Sequence, residues 1–231
     1  MNERQTVLVV DDDVSIAALM RDFLENDGFR VLTAHDAEEA MSRFREAEAN
    51  CLLLDVMMPG QDGFELCRRI RALSNVPILF LSARDDDLHK IRGLGIGGDD
   101  YIVKTASPSE VVARVKAVLR RAAAPAVNAA PRLLDFGRLK LDVAARDVFV
   151  DGAPVSLTPK EYELLRVLSE HPGQVLTYEQ LLDRFWEGVG DKHTVRVHIA
   201  RLRDKIELDP EHPRYVANVW GVGYRFEGRP Q

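Results

Sequence analysis

In the first half of the chain, polar side chains suited to phosphoryl chemistry stand at the ends of short apolar runs. Asp11 and Asp12 follow TVLVV (6–10), and Asp55 closes CLLLD (51–55). Ser82 lies in PILFLSA (77–83), and Lys104 ends YIVK (101–104). If these runs are neighbouring parallel strands, the three carboxylates converge at one edge and repel one another at close range. A divalent cation with oxygen ligands removes that repulsion, and Mg²⁺ typically takes one or two carboxylates and keeps waters. A hydroxyl and an ammonium at the same edge complete a set that can neutralise the equatorial oxygens of a phosphoryl group in transfer. Each residue alone has a plainer reading. A strand-end aspartate usually caps a turn or helix, as Asp13 is expected to do, and a lone serine or lysine is usually solvated surface. The combination carries the argument.

The elements that must position these residues follow from apolar spacing. The four runs read as buried strands, with a weaker one at RVLTA (30–34). Ile16, Leu19, Met20, Phe23 and Leu24 follow the i, i+3, i+4, i+7, i+8 spacing of one helix face, and Val111, Val112, Val115, Val118 and Leu119 repeat it. Strands alternating with helices predict an α/β fold with a doubly wound, parallel five-stranded sheet. In such sheets, sites form at the carboxyl ends of the strands.

The 231-residue chain is long enough for two domains, and its composition, 46% apolar and 29% charged, is that of a globular protein. No uncharged apolar run approaches the roughly 18 residues of a membrane span, and the N-terminal apolar run is too short for a signal peptide. Cys51 and Cys67 lack metal-ligand spacing and are expected to be free thiols, which favours a cytoplasmic location. A seam is expected at AAAPAVNAAP (122–131), uncharged and mostly alanine, with Pro125 and Pro131 limiting any helix. It divides the chain into domains 1–121 and 132–231. The net charge of −6 divides unevenly, with 16 basic against 21 acidic residues before the seam and 15 against 16 after it. Within Lys192–Lys205 there are five bases and one acid. Local field rather than total charge governs nucleic-acid binding, so the overall acidity excludes little.

After the seam the pattern changes to α+β. Short strands in LLDFGRLKLD and RDVFVDG precede helices near 158–170, 177–186 and 193–207, and a final pair, RYVANV and GYRFEG, brackets Trp220–Gly223. In the last helix, Val195, Ile199, Leu202 and Ile206 form the core stripe. Val197, Ala200, Arg201 and Asp204 lie opposite it. Thr194, His198 and Lys205 take one flank, and Arg196 and Arg203 the other. Small residues in front and bases at the sides suit a DNA major groove, with Arg201 reading base edges and the flanks meeting phosphate. Taken alone, a solvated basic face is an equal reading.

Residues 5–121 resemble a response-regulator receiver domain of flavodoxin-like fold through VLVVDDD, LLLDVMMPGQDG, LFLSAR and DDYIVK. Residues 132–231 resemble the winged-helix effector domain of the OmpR/PhoB family through LTPKEYELLRVLSEHPGQVLTYEQLL, TVRVHIARLRDKIE and RYVANVWGVGYRF. The resemblance implies that Asp55 accepts a phosphoryl group from a sensor histidine kinase. It implies Mg²⁺ held by Asp12, Asp55 and the Met57 carbonyl, with Asp11 acting mainly through water. Ser82 and Tyr101 match the family's switch pair, and Lys104 its phosphoryl-contacting lysine. Asp99, Asp100 and Arg114 match a receiver dimer face, occupied on phosphorylation. The last strand pair would be the wing, with Arg225 facing phosphate or minor groove; Trp220 and Tyr224 read as wing packing, with base stacking the lesser alternative. Glu187–Lys192 matches the region that contacts RNA polymerase. The implied protein is a phosphorylation-switched regulator that binds promoter DNA as a dimer, uses no membrane and is no enzyme beyond its own phosphorylation and dephosphorylation. Two features depart from the family. Thr105 stands where it usually has a proline, often after a cis bond, and Arg196 stands where an acid is common.

Two rival readings remain. A Mg²⁺-dependent phosphohydrolase would use the same aspartate chemistry but gives residues 132–231 no role. A regulator that works unphosphorylated would not need the intact acidic set.

Overall fold

The computed structural model describes residues 4–58, 60–83, 93, 96–123, 133–186 and 192–230. The chain forms two compact units, Met1–Ala123 and Ala124–Gln231. Most of the expected linker lies outside the described residues.

The first unit is built on β1 (Thr6–Val10), β2 (Arg30–Ala34), β3 (Cys51–Asp55), β4 (Ile78–Ser82) and β5 (Asp100–Val103), all parallel, in the order β2-β1-β3-β4-β5. Strands β1, β3 and β4 are buried at every residue because helices cover both faces, which is why their sequences are continuous apolar runs. Around them lie α1 (Val14–Asn26), α2 (Ala37–Glu46), α3 (Gly63–Arg71) and α4 (Pro108–Ala123). Asp13 caps α1 as expected, its carboxylate accepting from the Ser15 and Ile16 amides. The five predicted apolar residues of α4 are all buried. The predicted face of α1 is corrected: Ala17, Met20 and Leu24 are buried, while Leu19 and Phe23 are exposed. Apolar spacing counted the larger Leu19 and Phe23 and passed over Ala17, whose small side chain lets the helix approach the sheet. Cys51 and Cys67 are buried free thiols.

The second unit begins with an antiparallel sheet of β6 (Leu133–Asp135), β7 (Leu139–Asp142), β8 (Asp147–Val150) and β9 (Ala153–Pro154). Helices α5 (Pro159–Glu170), α6 (Tyr178–Trp186) and α7 (Lys192–Ile206) follow, with a three-stranded sheet of β10 (Val175–Thr177), β11 (Val216–Val219) and β12 (Gly223–Phe226) in the order β10-β12-β11. Helix α5 starts at a full capping box in which Thr158 and Glu161 exchange hydrogen bonds. Its core gathers Leu164, Leu168, Phe185, Ile199, Leu202 and Phe226, among others. At Gly223 a Cβ would meet the Leu176 carbonyl oxygen at 2.0 Å, so only glycine lets β12 lie this close to β10.

Candidate phosphoryl site and nucleic-acid interface

The carboxyl ends of β1 and β3 bring Asp11, Asp12 and Asp55 together, with one oxygen from each lying within 4.8 Å of the others. Asp11 and Asp55 are buried and Asp12 is exposed. From the loop after β5, the Lys104 ammonium reaches both buried carboxylates, 2.7 Å from Asp11 Oδ2 and 3.0 Å from Asp55 Oδ2. Burial pushes the Asp11 and Asp55 carboxyls up, against the hydrogen bonds and charge of Lys104 that pull them down. Burial pulls Lys104 down, but its contacts with the two carboxylates outweigh that and leave it raised. The site therefore holds more negative charge than one lysine offsets, with an exposed oxygen donor at its mouth. An all-oxygen donor set of this kind suits a hard divalent cation.

The loop after β3 is shaped for this site. The Met57 amide donates to Asp55 Oδ1 at 3.1 Å, and Met57 itself is half-exposed. At Gly63, the first residue of α3, a Cβ would meet the Asp55 carbonyl oxygen at 2.0 Å, so glycine is required for the helix to start beneath the strand end. Ser82 is fully buried at the end of β4, and its carbonyl accepts the Lys104 amide at 2.7 Å. Tyr101 is buried with its ring 6.4 Å from Phe80. The described residues hold no cis peptide, so Lys104–Thr105 is trans.

The residues expected at a dimer face part company. Asp99 is only 1% exposed and is spent internally, accepting from Arg71 at 2.9 Å and from the Ile78 amide at 3.0 Å. It ties α3 to the start of β4, which corrects its expected place on a contact surface. Asp100 and Arg114 pair within the chain at 3.1 Å, and Arg114 also holds Glu110 at 2.9 Å.

In α7 the four predicted core residues are fully buried, and so is His198, which packs its ring 5.2 Å from Trp186. Adding His198 to the core widens the buried sector toward Arg201, so Arg201 does not stand at the middle of the exposed face. Arg201 is 12% exposed and sits 2.9 Å from Glu161 of α5, itself 0% exposed. Lys205 reaches the other Glu161 oxygen at 2.7 Å and the Ser156 carbonyl at 3.1 Å. Arg203 donates twice to the Val216 carbonyl and lies over the Tyr224 ring. These three bases anchor the helix. The exposed strip instead carries Lys192, Arg196, Ala200 and Asp204, with Thr194 and Val197 half-buried beside it. Arg225, on the central strand β12, pairs with Glu227. Tyr224 packs as expected, whereas Trp220 is 89% exposed, so its expected packing in the wing is corrected. Sequence reasoning missed Glu161 and Tyr178; the S/T-x-x-E pattern of Thr158–Glu161 was a visible signal for the first. Of the region expected to meet RNA polymerase, residues 187–191 lie outside the described residues.

Residues 7–116 match the response regulator receiver domain, and residues 152–226 match the C-terminal domain of transcriptional regulatory proteins. Together with the two units, this defines a response regulator, a receiver joined to a DNA-binding domain. Over 96% of its length the chain is 44% identical to the transcriptional regulatory protein ResD of Bacillus subtilis, covering 95% of that protein. Over 96% of its length it is 41% identical to the sensory transduction protein RegX3 of Mycolicibacterium smegmatis, covering 99% of it. The crystal structure of DrrB, an OmpR/PhoB homologue from Thermotoga maritima, aligns at 36% identity with a TM-score of 0.50, over 97% of this chain and 100% of that one. The chain belongs to the OmpR/PhoB family of two-component response regulators. No helix among the described residues is long and apolar enough to cross a membrane.

Proposed function

We propose that Asp55 accepts a phosphoryl group from a sensor histidine kinase and that this modification controls promoter binding by the second unit, in the cytoplasm. The domains are assigned as a receiver over 1–121, a linker over 122–131 and a winged helix over 132–231. The observation that carries the reading is the cluster of Asp11, Asp12 and Asp55 bridged by Lys104. Asp12, Asp55 and the Met57 carbonyl would hold Mg²⁺, with Asp11 acting through water; the ion supplies positive charge to the phosphoryl oxygens. An Asp55 oxygen forms the new bond to phosphorus as the bond to the donor's imidazole nitrogen breaks, and the imidazole leaves. Lys104, already within reach of Asp55, meets the incoming charge. Ser82 and Tyr101 form the switch pair, hydroxyl and ring moving toward the phosphate together.

The chemistry is confined to the protein's own side chain, so the chain is not assigned turnover of an external substrate. A phosphohydrolase has no use for residues 152–226, which match a DNA-binding domain. Dimerisation through β5 and α4 is proposed, with Asp100 and Arg114 at that face. Two tethered DNA-binding units then raise each other's effective concentration on tandem half-sites. In the major groove, α7 presents Arg196 and Lys192 to the duplex, with Thr194 and Val197 at base edges, while Arg201, Arg203 and Lys205 hold the helix in place. RNA polymerase is the expected partner of the Glu187–Lys192 segment. The test is incubation with acetyl phosphate and Mg²⁺ followed by intact-mass measurement. One phosphoryl group is expected on the native protein and none on Asp55→Ala; stoichiometric labelling of that variant overturns the assignment.

A further inference from the structure

Helix α7 holds its bases in two chemically different ways. Arg201 and Lys205 end on the buried Glu161 carboxylate, at 2.9 and 2.7 Å, and its negative charge offsets theirs. Arg196 and Lys192, one turn apart on the exposed strip, share a phenol. The Arg196 guanidinium lies 5.5 Å and the Lys192 ammonium 5.6 Å from the centre of the Tyr178 ring. The Tyr178 hydroxyl also accepts from Arg196 Nε at 3.4 Å. An aromatic ring attracts a cation through its quadrupole and leaves the positive charge in place. The ring itself has little freedom. Tyr178 is 2% exposed although it opens α6, and its amide donates to the Val222 carbonyl at 3.0 Å. Tyr224 packs edge-on against it, with centroids 5.7 Å apart and planes at 78°. The two hydroxyls are hydrogen-bonded to each other, and burial above all pushes the Tyr224 phenol up, keeping it neutral. On its own ring, Tyr224 carries Arg203, which is fastened to the Val216 carbonyl.

We propose that Tyr178 is a positioning residue for DNA binding: its buried ring holds the Arg196 and Lys192 cations in the direction from which they meet backbone phosphate. The proposal rests on the reading of α7 given above and adds a residue that touches no DNA itself. Long basic side chains have the most rotamer freedom to lose, and immobilising one at a contact weakens binding. Side chains already steadied by a ring lose that freedom on folding instead. A carboxylate in the place of Tyr178 would also steady them, but at the expense of the charge that phosphate needs. The chemistry separates this role from that of the cations. Losing a cation on phosphate releases fewer counterions and flattens the salt dependence of binding. Losing the ring leaves both cations in place, so affinity falls while the salt dependence stays.

The test uses the full chain and a fluorescein-labelled, mixed-sequence duplex, with anisotropy read across a series of salt concentrations and urea unfolding verifying that each variant is folded. Tyr178→Leu should weaken binding by about five- to tenfold with an unchanged salt slope, and Tyr178→Phe, which keeps the ring, should retain most of the affinity. Lys192→Ala combined with Arg196→Ala should lower the slope by about two units, and adding Tyr178→Leu to that pair should change affinity by less than about twofold. Equal weakening by Tyr178→Leu in both backgrounds, or none in either, overturns the positioning role while leaving DNA binding intact. A second readout needs neither DNA nor the leucine variant. The Arg196 Nε–H resonance, assigned by its loss in Arg196→Ala, should be shifted upfield by the ring and exchange slowly with water, and Tyr178→Phe should speed that exchange. A native Arg196 resonance with the shift and exchange of a free arginine overturns the proposal. No binding of the native chain to duplex overturns the DNA-binding reading and this proposal with it.

Discussion

Replacing Arg201 with alanine should damage the fold of the second unit far more than its reading of DNA. Glu161 is 0% exposed, and its two oxygens are held by Arg201 at 2.9 Å and Lys205 at 2.7 Å, with the Thr158 amide at 2.9 Å. At an effective dielectric near 20, a pair at that separation interacts by about 6 kcal/mol, an upper figure because both ions also lost hydration. Stranding a buried charge costs on the order of 3–5 kcal/mol. Lys205 and the Thr158 amide remain to Glu161, so a loss of about 2–3 kcal/mol is expected for Arg201→Ala. Urea unfolding followed by Trp186, the buried indole of this unit, should show a lower midpoint with an unchanged slope. The melting temperature should fall by roughly 10–20 °C. Glu161→Gln combined with Arg201→Ala should recover part of the loss, because the stranded charge is gone. At a temperature where the variant is folded, its preference for cognate over scrambled duplex should survive. The reasoning is refuted if Arg201→Ala keeps native stability and loses that preference, since Arg201 would then be facing the groove.

Arg196→Ala should leave stability within about 0.5 kcal/mol, as for most exposed sites, and weaken cognate and scrambled duplexes alike. Mg²⁺ should raise the melting temperature of the receiver, by about 1.4 kcal/mol of stability at ten times its Kd, and Asp12→Ala should abolish most of that gain; an equal gain in the variant removes Asp12 from the site. Phosphorylation should promote self-association, and Arg114→Ala should weaken it; sedimentation showing one association constant for all forms would remove the dimer. Burial pushes the Cys51 thiol far up, so a thiol reagent should react with the native protein only as fast as it unfolds. Rapid labelling of Cys51 would contradict its burial.

The acidic site was legible because parallel strands make a simple map. Each apolar run in the first unit is one strand, and its last residue lies at one common edge, so Asp11, Asp55, Ser82 and Lys104 could be placed together without knowing any contact. The strand order depends on which helices cross which face, but the convergence does not. Adjacent residues at a strand entrance were not separable in the same way. Asp99 and Asp100 read alike in sequence, yet one turns inward to Arg71 and the other to Arg114. Nothing local decides that, because Arg71 is supplied by a helix 28 residues earlier. Strand β10 was missed for a related reason: three residues carry no usable periodicity, and its partner β12 lies far along the chain.

The recognition helix shows where a periodic reading fails even when its core stripe is right. Val195, Ile199, Leu202 and Ile206 fix the buried direction, but the width of the buried sector depends on which polar residues find partners inside. His198 finds Trp186, and Arg201 finds the capping glutamate of another helix. Both therefore leave the surface on the same side, and the exposed strip moves toward Arg196 and Lys192. Glu161 is the residue that forces this. As a capping-box member it must sit at the N-terminus of α5, and once buried it requires cations, which α7 supplies from its flank. A basic residue on this helix is thus either an anchor or a contact, according to whether Glu161 or the Val216 carbonyl is within its reach. By that criterion Arg201, Arg203 and Lys205 are held by contacts within the fold, while Arg196 and Lys192, steadied by the Tyr178 ring, stay on the exposed strip that is proposed to meet DNA.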